Sequence, residues 1–512
     1  MQNRSTSAAA ARTRPGDQTS AAATGSMDAA AAATLRKRPL SVHTAGSNGT
    51  AAATGAREHG ELVSPSARLV EDFYIVVVIG VATPVDLPAA RAGIEAQLAR
   101  YPRFRSIQIR ACAPPRLLES RGQVQVLNVK DGSGRPRWVP TTVNLDDHII
   151  YPRLVAAVVA RDPDRAVEDY VATLSTLPMD ESRPLWEFHI LDFPTSEAAA
   201  TTAIRVHHSL GDGMSLLTLL MACTRSAADP ARLPAMPPAP ARTGAIWERP
   251  RPPASGGALA LAAWAWSFVA LAWHTAVDVA SFLATILFLR DPHTLFKRAN
   301  HAARQRKRLV HRGLSLDDVK FVKNAMNCTV NDVLVGVTYA ALSRYYFRKT
   351  GDADTSQEIR VRSILLVNLR PTTSLQYVRK AKKIVDRKNS SLEVVFTHLA
   401  AEVILKIFGL KAAGAIFHRM ISHTTISFSN MIGPVEQVEF CGHPVVFIAP
   451  SGYGAPEALT VNFQSYVNTM MVNLAVDEAQ FPDRHELLDD FVESLRLIRG
   501  AASSLGKNHK ND

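Results

Sequence analysis

Residues 201–215 read Thr-Thr-Ala-Ile-Arg-Val-His-His-Ser-Leu-Gly-Asp-Gly-Met-Ser, and the change of character within them decides the fold. Residues 201–206 are rich in branched side chains, which is the mark of a strand. Residues 214–223 are apolar and free of Gly and Pro, and read as the opening turns of a helix. His207 and His208 therefore stand where a strand ends. Gly211 and Gly213, on either side of Asp212, favour a tight turn that a Cβ would resist. An imidazole held at a strand end can point into a cleft. Its ordinary pKa lies near neutrality, which suits a general base. Two other readings stay open. One is a buried histidine pair satisfied by hydrogen bonds, with Asp212 as a turn residue. The other is a metal site, for which no third or fourth ligand stands nearby.

Working outward, the flanking segments alternate strand and helix. Before the motif, residues 74–81 form a branched apolar run expected to be a buried strand, and residues 87–98 a helix. Tyr101-Pro102-Arg103-Phe104 leads into a strand at 106–110. A helix follows at 167–177, and Pro184-Leu185-Trp186-Glu187 opens a strand at 188–191. After the motif, residues 229–253 are Pro- and Arg-rich and read as a linker. The longest apolar stretch is 258–289. Its first part, 258–277, has no formal charge with His274 neutral, and at about 20 residues it matches a bilayer core. Ser267, His274, Asp278, Ser281 and Thr285 nevertheless fall at helical spacing and make a thin polar stripe, so a membrane span and a buried or interfacial helix are both open. Basic residues flank both ends, so the sign rule for orientation does not apply.

Farther along, helices are expected at 314–326 and from Thr329-Val330-Asn331-Asp332 to 349. A strand is expected at 361–369, running into Arg370-Pro371, and a helix at 393–420. Residues 425–434, Thr-Ile-Ser-Phe-Ser-Asn-Met-Ile-Gly-Pro, form a strand entering a turn. Strands at 444–448, 459–466 and 469–476 and a helix at 486–498 complete the ordered part.

A chain of 512 residues exceeds what one core serves, so two domains are expected. The net charge of +12 suits an anionic partner, whether nucleic acid, anionic lipid or a phosphorylated small molecule, and no nucleic-acid module is visible. Cys112, Cys223, Cys328 and Cys441 are too far apart in sequence for a zinc or disulfide pattern, which fits a reducing compartment. Residues 1–60 are Ala-rich and low in complexity; they read as a disordered extension, with an organelle transit peptide as the other reading.

His207-His208-x-x-x-Asp212-Gly213 resembles the active-site signature of the CoA-dependent acyltransferase superfamily. The full string is similar to the plant wax ester synthase/diacylglycerol acyltransferase family. Pro184-Leu185-Trp186, Asn331-Asp332, Asn368-Leu369-Arg370-Pro371 and Ser429-Asn430-x-x-Gly433-Pro434 agree with it in order, over about 62–500. The resemblance implies a mixed α/β fold of two chloramphenicol-acetyltransferase-like open-sheet domains with a tunnel between them. It divides the chain into an extension (1–60), an N-terminal half (61–228), a linker and apolar helix (229–300), a C-terminal half (301–500) and a polar tail (501–512).

It also implies acyl-CoA as co-substrate, with no bound cofactor and no metal. The acceptor would be a fatty alcohol, giving a wax ester, or diacylglycerol, giving triacylglycerol. The partners would be these substrates and a membrane, with no nucleic acid. The location would be the endoplasmic reticulum membrane or the plasma membrane, with the site facing the cytosol. His208 would be the general base, His207 a support, and Asp212 structural through an arginine such as Arg370, beside Gly213. Asn430 and Gly433 would serve the oxyanion, with Asn331, Asp332 and Arg370 as further substrate contacts. One departure stands out. The family pattern has a further stretch, with a Trp-Gly-Asn element, after the strand at 361–369, whereas this chain passes directly from Pro371 to Leu375. The alternative is therefore a membrane-associated acyl-CoA- or lipid-binding protein made inactive by that gap. A soluble alcohol acyltransferase of specialised metabolism would carry Asp-Phe-Gly-Trp-Gly late in the chain, and this sequence has none.

Overall fold

The computed structural model describes residues 61–508 apart from 70–72, 110–116, 121–122, 127–135, 238–243, 247–256, 290–293, 298–305, 352–358, 363–365, 370–372 and 455–456. Numbered along the chain, the strands of its two main sheets are β1 (Tyr74–Val81), β2 (Ile149–Ile150), β3 (Trp186–Leu191), β4 (Ala200–His207), β5 (Thr224–Ser226), β6 (Lys307–Ser315), β7 (Ile426–Met431), β8 (Val438–Phe440), β9 (His443–Tyr453), β10 (Leu459–Tyr466) and β11 (Thr469–Asp477). The main helices are α1 (Leu87–Gly93), α2 (Pro163–Leu174), α3 (Gly213–Ala222), α4 (Ala258–Leu287), α5 (Leu316–Ala325), α6 (Val330–Thr350), α7 (Ser374–Asn389), α8 (Glu393–Ile407), α9 (Gly409–Ser422) and α10 (Arg484–Asn508).

The first sheet has the order β5-β8-β9-β1-β4-β3-β2. Every residue of β4 is buried, because the strand is central and covered on both faces. That is why its sequence shows branched residues in succession rather than apolar–polar alternation. β1 and β4 are antiparallel with Tyr74 opposite His207. The sheet does not follow the division at 228 and 301. β8 and β9 come from the C-terminal half, and β9 lies antiparallel to β1 with Ser451 opposite Val76.

The second sheet has the order β6-β11-β10-β7, with β7 parallel to β10. Among the described residues, β7 is paired on one side only. A second core lies between this sheet and α5, α6 and α10. α6 is buried continuously over residues 333–343, and Gly336 lets α7 approach it. A Cβ there would stand 2.8 Å from Val378 Cγ2 and 2.9 Å from Val378 Cα.

Three sequence expectations change. The strand expected at 361–369 is a separate hairpin, Ile359–Arg362 antiparallel to Leu366–Leu369. Arginines at 360 and 362 make it unsuitable for a strand buried on both faces. The helix expected at 393–420 breaks into α8 and α9 at Gly409, whose φ of +76° is left-handed and ends the first helical run. An unexpected basic helix, α7, precedes them. The long apolar helix is present as α4, and large apolar side chains along it, among them Trp266 and Trp273, are exposed.

Candidate active site

Alternation along β4 turns His207 inward and leaves His208 at the strand end. The His207 ring is buried and meets Tyr74 edge-on at 5.3 Å between centroids. Its Nδ1 accepts from the backbone N–H of Ser209 at 3.1 Å and lies 2.6 Å from the Ser209 hydroxyl. The Gln108 amide donates to that hydroxyl oxygen at 2.6 Å. A backbone donor on Nδ1 places the His207 proton on Nε2. His207 is thus fixed by its surroundings.

His208 begins a short 3₁₀ turn, His208–Leu210, and its N–H donates to the carbonyl of Phe73 at 2.9 Å. The side chain is half-buried, and burial lowers its pKa below the ordinary histidine value, opposed in part by its own backbone carbonyl region and by Asp212. The imidazole is therefore neutral near pH 7 and able to accept a proton.

Asp212 is exposed and caps α3: its Oδ1 accepts from Ser215 N–H at 2.8 Å. Gly211 has a φ of 179°, extended backbone that any residue adopts, so the expected glycine-dependent turn is not the reason for this residue. Gly213 opens the helix. A Cβ on it would stand 3.5 Å from Met431 Sδ, which brings strand β7 of the C-terminal half to the motif.

Behind the histidines lies a network that sequence reading missed. Arg205 is buried, two residues before His207 and on the same strand face. Its guanidinium lies 4.6 Å from the Tyr74 ring centroid and 3.3 Å from Glu187, and it also donates to the Leu177 carbonyl. Glu187 is 3.2 Å from His189, whose Nδ1 is 2.7 Å from the Tyr170 hydroxyl. Burial acts to raise the Glu187 pKa, but His189 and Arg205 together bring it below the usual carboxylate range. The one available signal was a charged residue inside a branched strand. Trp186 joins two sequence motifs: its Nε1 donates to the Phe104 carbonyl at 2.9 Å and its ring stacks on His148 at 4.1 Å.

In the C-terminal half, Asn430 lies on β7 next to Met431, and its Oδ1 is buried without a hydrogen-bond partner. Gly433 is less suited to an oxyanion, because its N–H already donates to Ser465 Oγ at 3.0 Å. It must be glycine for packing: a Cβ would fall 2.2 Å from the Ser465 carbonyl oxygen. Asn331 and Asp332 open α6. Asp332 is fully buried and forms a capping box with Thr329, Thr329 N–H to Asp332 Oδ2 at 2.8 Å and Asp332 N–H to Thr329 Oγ1 at 3.1 Å. The capping box accounts for one Asp332 oxygen, while its Oδ1 is buried without a hydrogen-bond partner. Arg370 lies outside the described residues.

Two further features stand out, one a space and one a row of buried polar side chains. One is an apolar slot of about 60 Å³ that reaches Gly213 and runs between α3 and the first sheet, lined among others by Ile75, Val77, Leu217, Leu220, Cys223 and Met431. Burial pushes the Cys223 thiol up to about 12, so it is no nucleophile. The other is a buried polar seam between the sheets. Ser429, Asn462, Asn473 and His311 stand in one row across β7, β10, β11 and β6. Asn462 Nδ2 reaches Ser451 Oγ at 3.1 Å, and Asn473 Nδ2 reaches the Pro450 carbonyl at 3.2 Å, both on β9. Thr460 Oγ1, Gln464 Oε1 and Asn473 Oδ1 are buried there without partners.

Known proteins resemble this chain in sequence and in fold. Residues 71–334 match the wax ester synthase/diacylglycerol acyltransferase catalytic domain, and residues 363–499 match the WS/DGAT C-terminal domain. Wax ester synthase/diacylglycerol acyltransferase 11 of Arabidopsis thaliana is 38% identical over 495 aligned positions, covering 87% of this chain and 96% of the relative. Wax ester synthase/diacylglycerol acyltransferase 5 of the same plant is 36% identical, covering 86% and 94%. Since 87% of 512 residues is about 445, about fifty of those 495 positions have no counterpart here. The wax ester synthase/diacylglycerol acyltransferase from Marinobacter aquaeolei VT8 shares the fold, with a TM-score of 0.55 at 17% identity, covering 86% of this chain and all of that one. The first condensation domain of the CDA synthetase also shares it, with a TM-score of 0.50 at 16% identity over 87% and 96%. By its sequence matches the chain belongs to the wax ester synthase/diacylglycerol acyltransferase family.

Proposed function

We propose that this chain transfers an acyl group from acyl-CoA to the hydroxyl of a long-chain alcohol or of diacylglycerol. One observation carries the reading: a neutral, half-buried His208 at the end of β4, beside a helix that walls an apolar slot. The acceptor hydroxyl is a weak nucleophile, and His208 takes its proton as the oxygen attacks the thioester carbon. The carbonyl oxygen becomes an oxyanion, to which we assign the Asn430 side-chain amide. A carboxamide can present its NH₂ as readily as its oxygen, and the Asn430 amide oxygen is unpartnered. The C–S bond then breaks, and the leaving thiolate takes the proton from His208. The apolar lining of the slot suits the first methylenes of the acyl chain, and the polar seam suits the amides of the pantetheine arm. Asp212 holds the end of α3 and so positions the loop.

An apolar acceptor partitions into a membrane, and on that ground we assign the enzyme to the cytosolic face of the endoplasmic reticulum. The plasma membrane is the other site to examine. The test is an assay of microsomes expressing the chain, given labelled palmitoyl-CoA with hexadecanol or with diacylglycerol. Both wax ester and triacylglycerol are separated, and the two rates fix the acceptor. His208→Ala is expected to cut ester formation by about 10²–10⁴ while the chain stays folded by circular dichroism. Near-normal turnover in that variant would remove His208 from the reaction.

A further inference from the structure

The helix α4 has its polar side turned toward the protein and its apolar side turned out. His274 Nδ1 is 2.9 Å from Ser390 Oγ, Thr275 Oγ1 accepts from Leu392 N–H at 3.0 Å, and Asp278 pairs with Arg387 at 2.9 Å. Near its end, His423 Nδ1 approaches the Thr285 carbonyl at 2.6 Å, and Arg419 donates to the Leu287 carbonyl at 2.9 Å. The opposite side is a row at heptad-like spacing: Leu259, Trp266, Val269, Trp273, Leu283 and Leu287, all exposed. Trp266 is 69% exposed and Trp273 68%, values that water does not favour for two neighbouring indoles. α8 repeats the arrangement. Phe396, Leu399, Val403 and Ile407 are exposed at helical spacing, and Phe408 caps the run at the turn into α9.

The position of these residues separates two ways of meeting a membrane. The midpoint of α4 falls at Trp273. In a crossing helix that indole would sit at the bilayer midplane, although tryptophan prefers the interface. Asp278 would sit about 8 Å farther along. Its partner Arg387 is carried by α7, which also bears Arg379, Lys380, Lys382, Lys383 and Lys388, and these charges would have to follow into hydrocarbon. A helix lying in the interface avoids all three costs: both indoles come to the headgroup level, and the polar latch stays with the protein. Lys411, exposed just past the α8–α9 turn, is then available to anionic headgroups, as are Arg379, Lys380 and Lys383.

We propose that α4 and α8 form a monotopic docking face that enters one leaflet of an anionic bilayer, and that α4 does not cross it. This rests on the membrane-bound reading above and deepens it. Trp266 and Trp273 anchor the face, the α8 row extends it, and the basic side of α7 selects for negative lipid.

Two measurements on the full chain test it. In the first, purified protein is floated with vesicles of phosphatidylcholine alone or with about one-fifth phosphatidylserine. The wild type floats, more strongly with phosphatidylserine. A double variant, W266D with W273D, and a separate F408D each lose at least tenfold in bound fraction. Both variants are also given octanoyl-CoA and hexanol in solution, where turnover at the wild-type rate is expected. Flotation of both variants at the wild-type level overturns the docking face, as does wild-type protein that self-associates without binding either vesicle. Absent turnover by the wild type would instead sink the acyltransfer reading, and leaves flotation to be judged alone. In the second, single cysteines replace Gly257 and Leu289 in sealed microsomes and are treated with a membrane-impermeant maleimide. Labelling of both from the outside is the expected result; labelling of one only until detergent is added shows a span and overturns the proposal.

Discussion

Substitutions at Asp212 separate its two physical effects. Its carboxylate accepts from Ser215 N–H at 2.8 Å, capping α3, and its charge raises the pKa of His208 against the lowering by burial. Asp212→Asn keeps an N-cap acceptor of similar strength and removes the charge; Asp212→Ala removes both. Loss of the cap costs about 1 kcal/mol, and loss of a carboxylate from the helix start costs about 0.3–1 kcal/mol more. The alanine variant should therefore unfold at lower urea than the asparagine variant. In the pH profile of kcat/KM, activity rises as His208 loses its proton, so the acid limb reports its pKa. Burial already sets that pKa below the ordinary histidine value. Removing the Asp212 charge takes away a raising influence, so in both variants the limb moves to lower pH. The assay is initial-rate kinetics from about pH 4.5 to 8 alongside urea titration. A limb that moves to higher pH, or equal urea midpoints for the two variants, would refute this account.

Other substitutions probe the surroundings. Leu217→Trp should fill the apolar slot, raising KM for palmitoyl-CoA and octanoyl-CoA alike; an unchanged KM for both would place the acyl chain elsewhere. Trp186→Ala should cost about 3–5 kcal/mol, since it removes a fully buried indole and leaves the Phe104 carbonyl without its donor, and urea unfolding measures it. Stability should fall as pH drops below about 6.5, because burial lowers the pKa of both His148 and His208, so the unfolded chain binds more protons there; a flat urea midpoint down to pH 5 would contradict this. Inserting a relative's segment between Pro371 and Leu375 should raise specific activity by giving β7 a neighbour beside Asn430; equal activity at equal expression would show that stretch to be peripheral.

The local parts of the fold were legible. The strand-to-helix junction at His208 follows from a branched run and an apolar run separated by a glycine-bearing turn. The strands at β10 and β11 are long, rich in branched and aromatic residues and well separated from helical patterns, and the sequence places both within a residue or two. What escaped was nonlocal. Nothing in residues 443–453 says that they will pair with residues 74–81 rather than with their own half, since pairing across more than 350 residues leaves no local pattern. The break at Gly409 was hidden because apolar spacing continues on both sides of it. Asn331-Asp332 suits both a cap and a substrate contact in the sequence, because capping and binding use the same residue types; the structure shows the cap. The seam on β10 was written as Thr460-x-Asn462-x-Gln464, a polar alternation that passes for a solvent face until burial is known.

The crossing of β8 and β9 into the first sheet has a consequence in time. A ribosome finishes β1 at Val81 and reaches His443 after 361 intervening residues, which at about 5–20 residues per second takes about 18–72 seconds. Throughout that interval the edge of β1 that will carry β9 displays unpaired backbone groups on an apolar strand, a template for association with other nascent chains. Any transcript that ends before residue 438 makes that interval permanent, so a shortened product is a clearance problem for the cell rather than a half-strength enzyme.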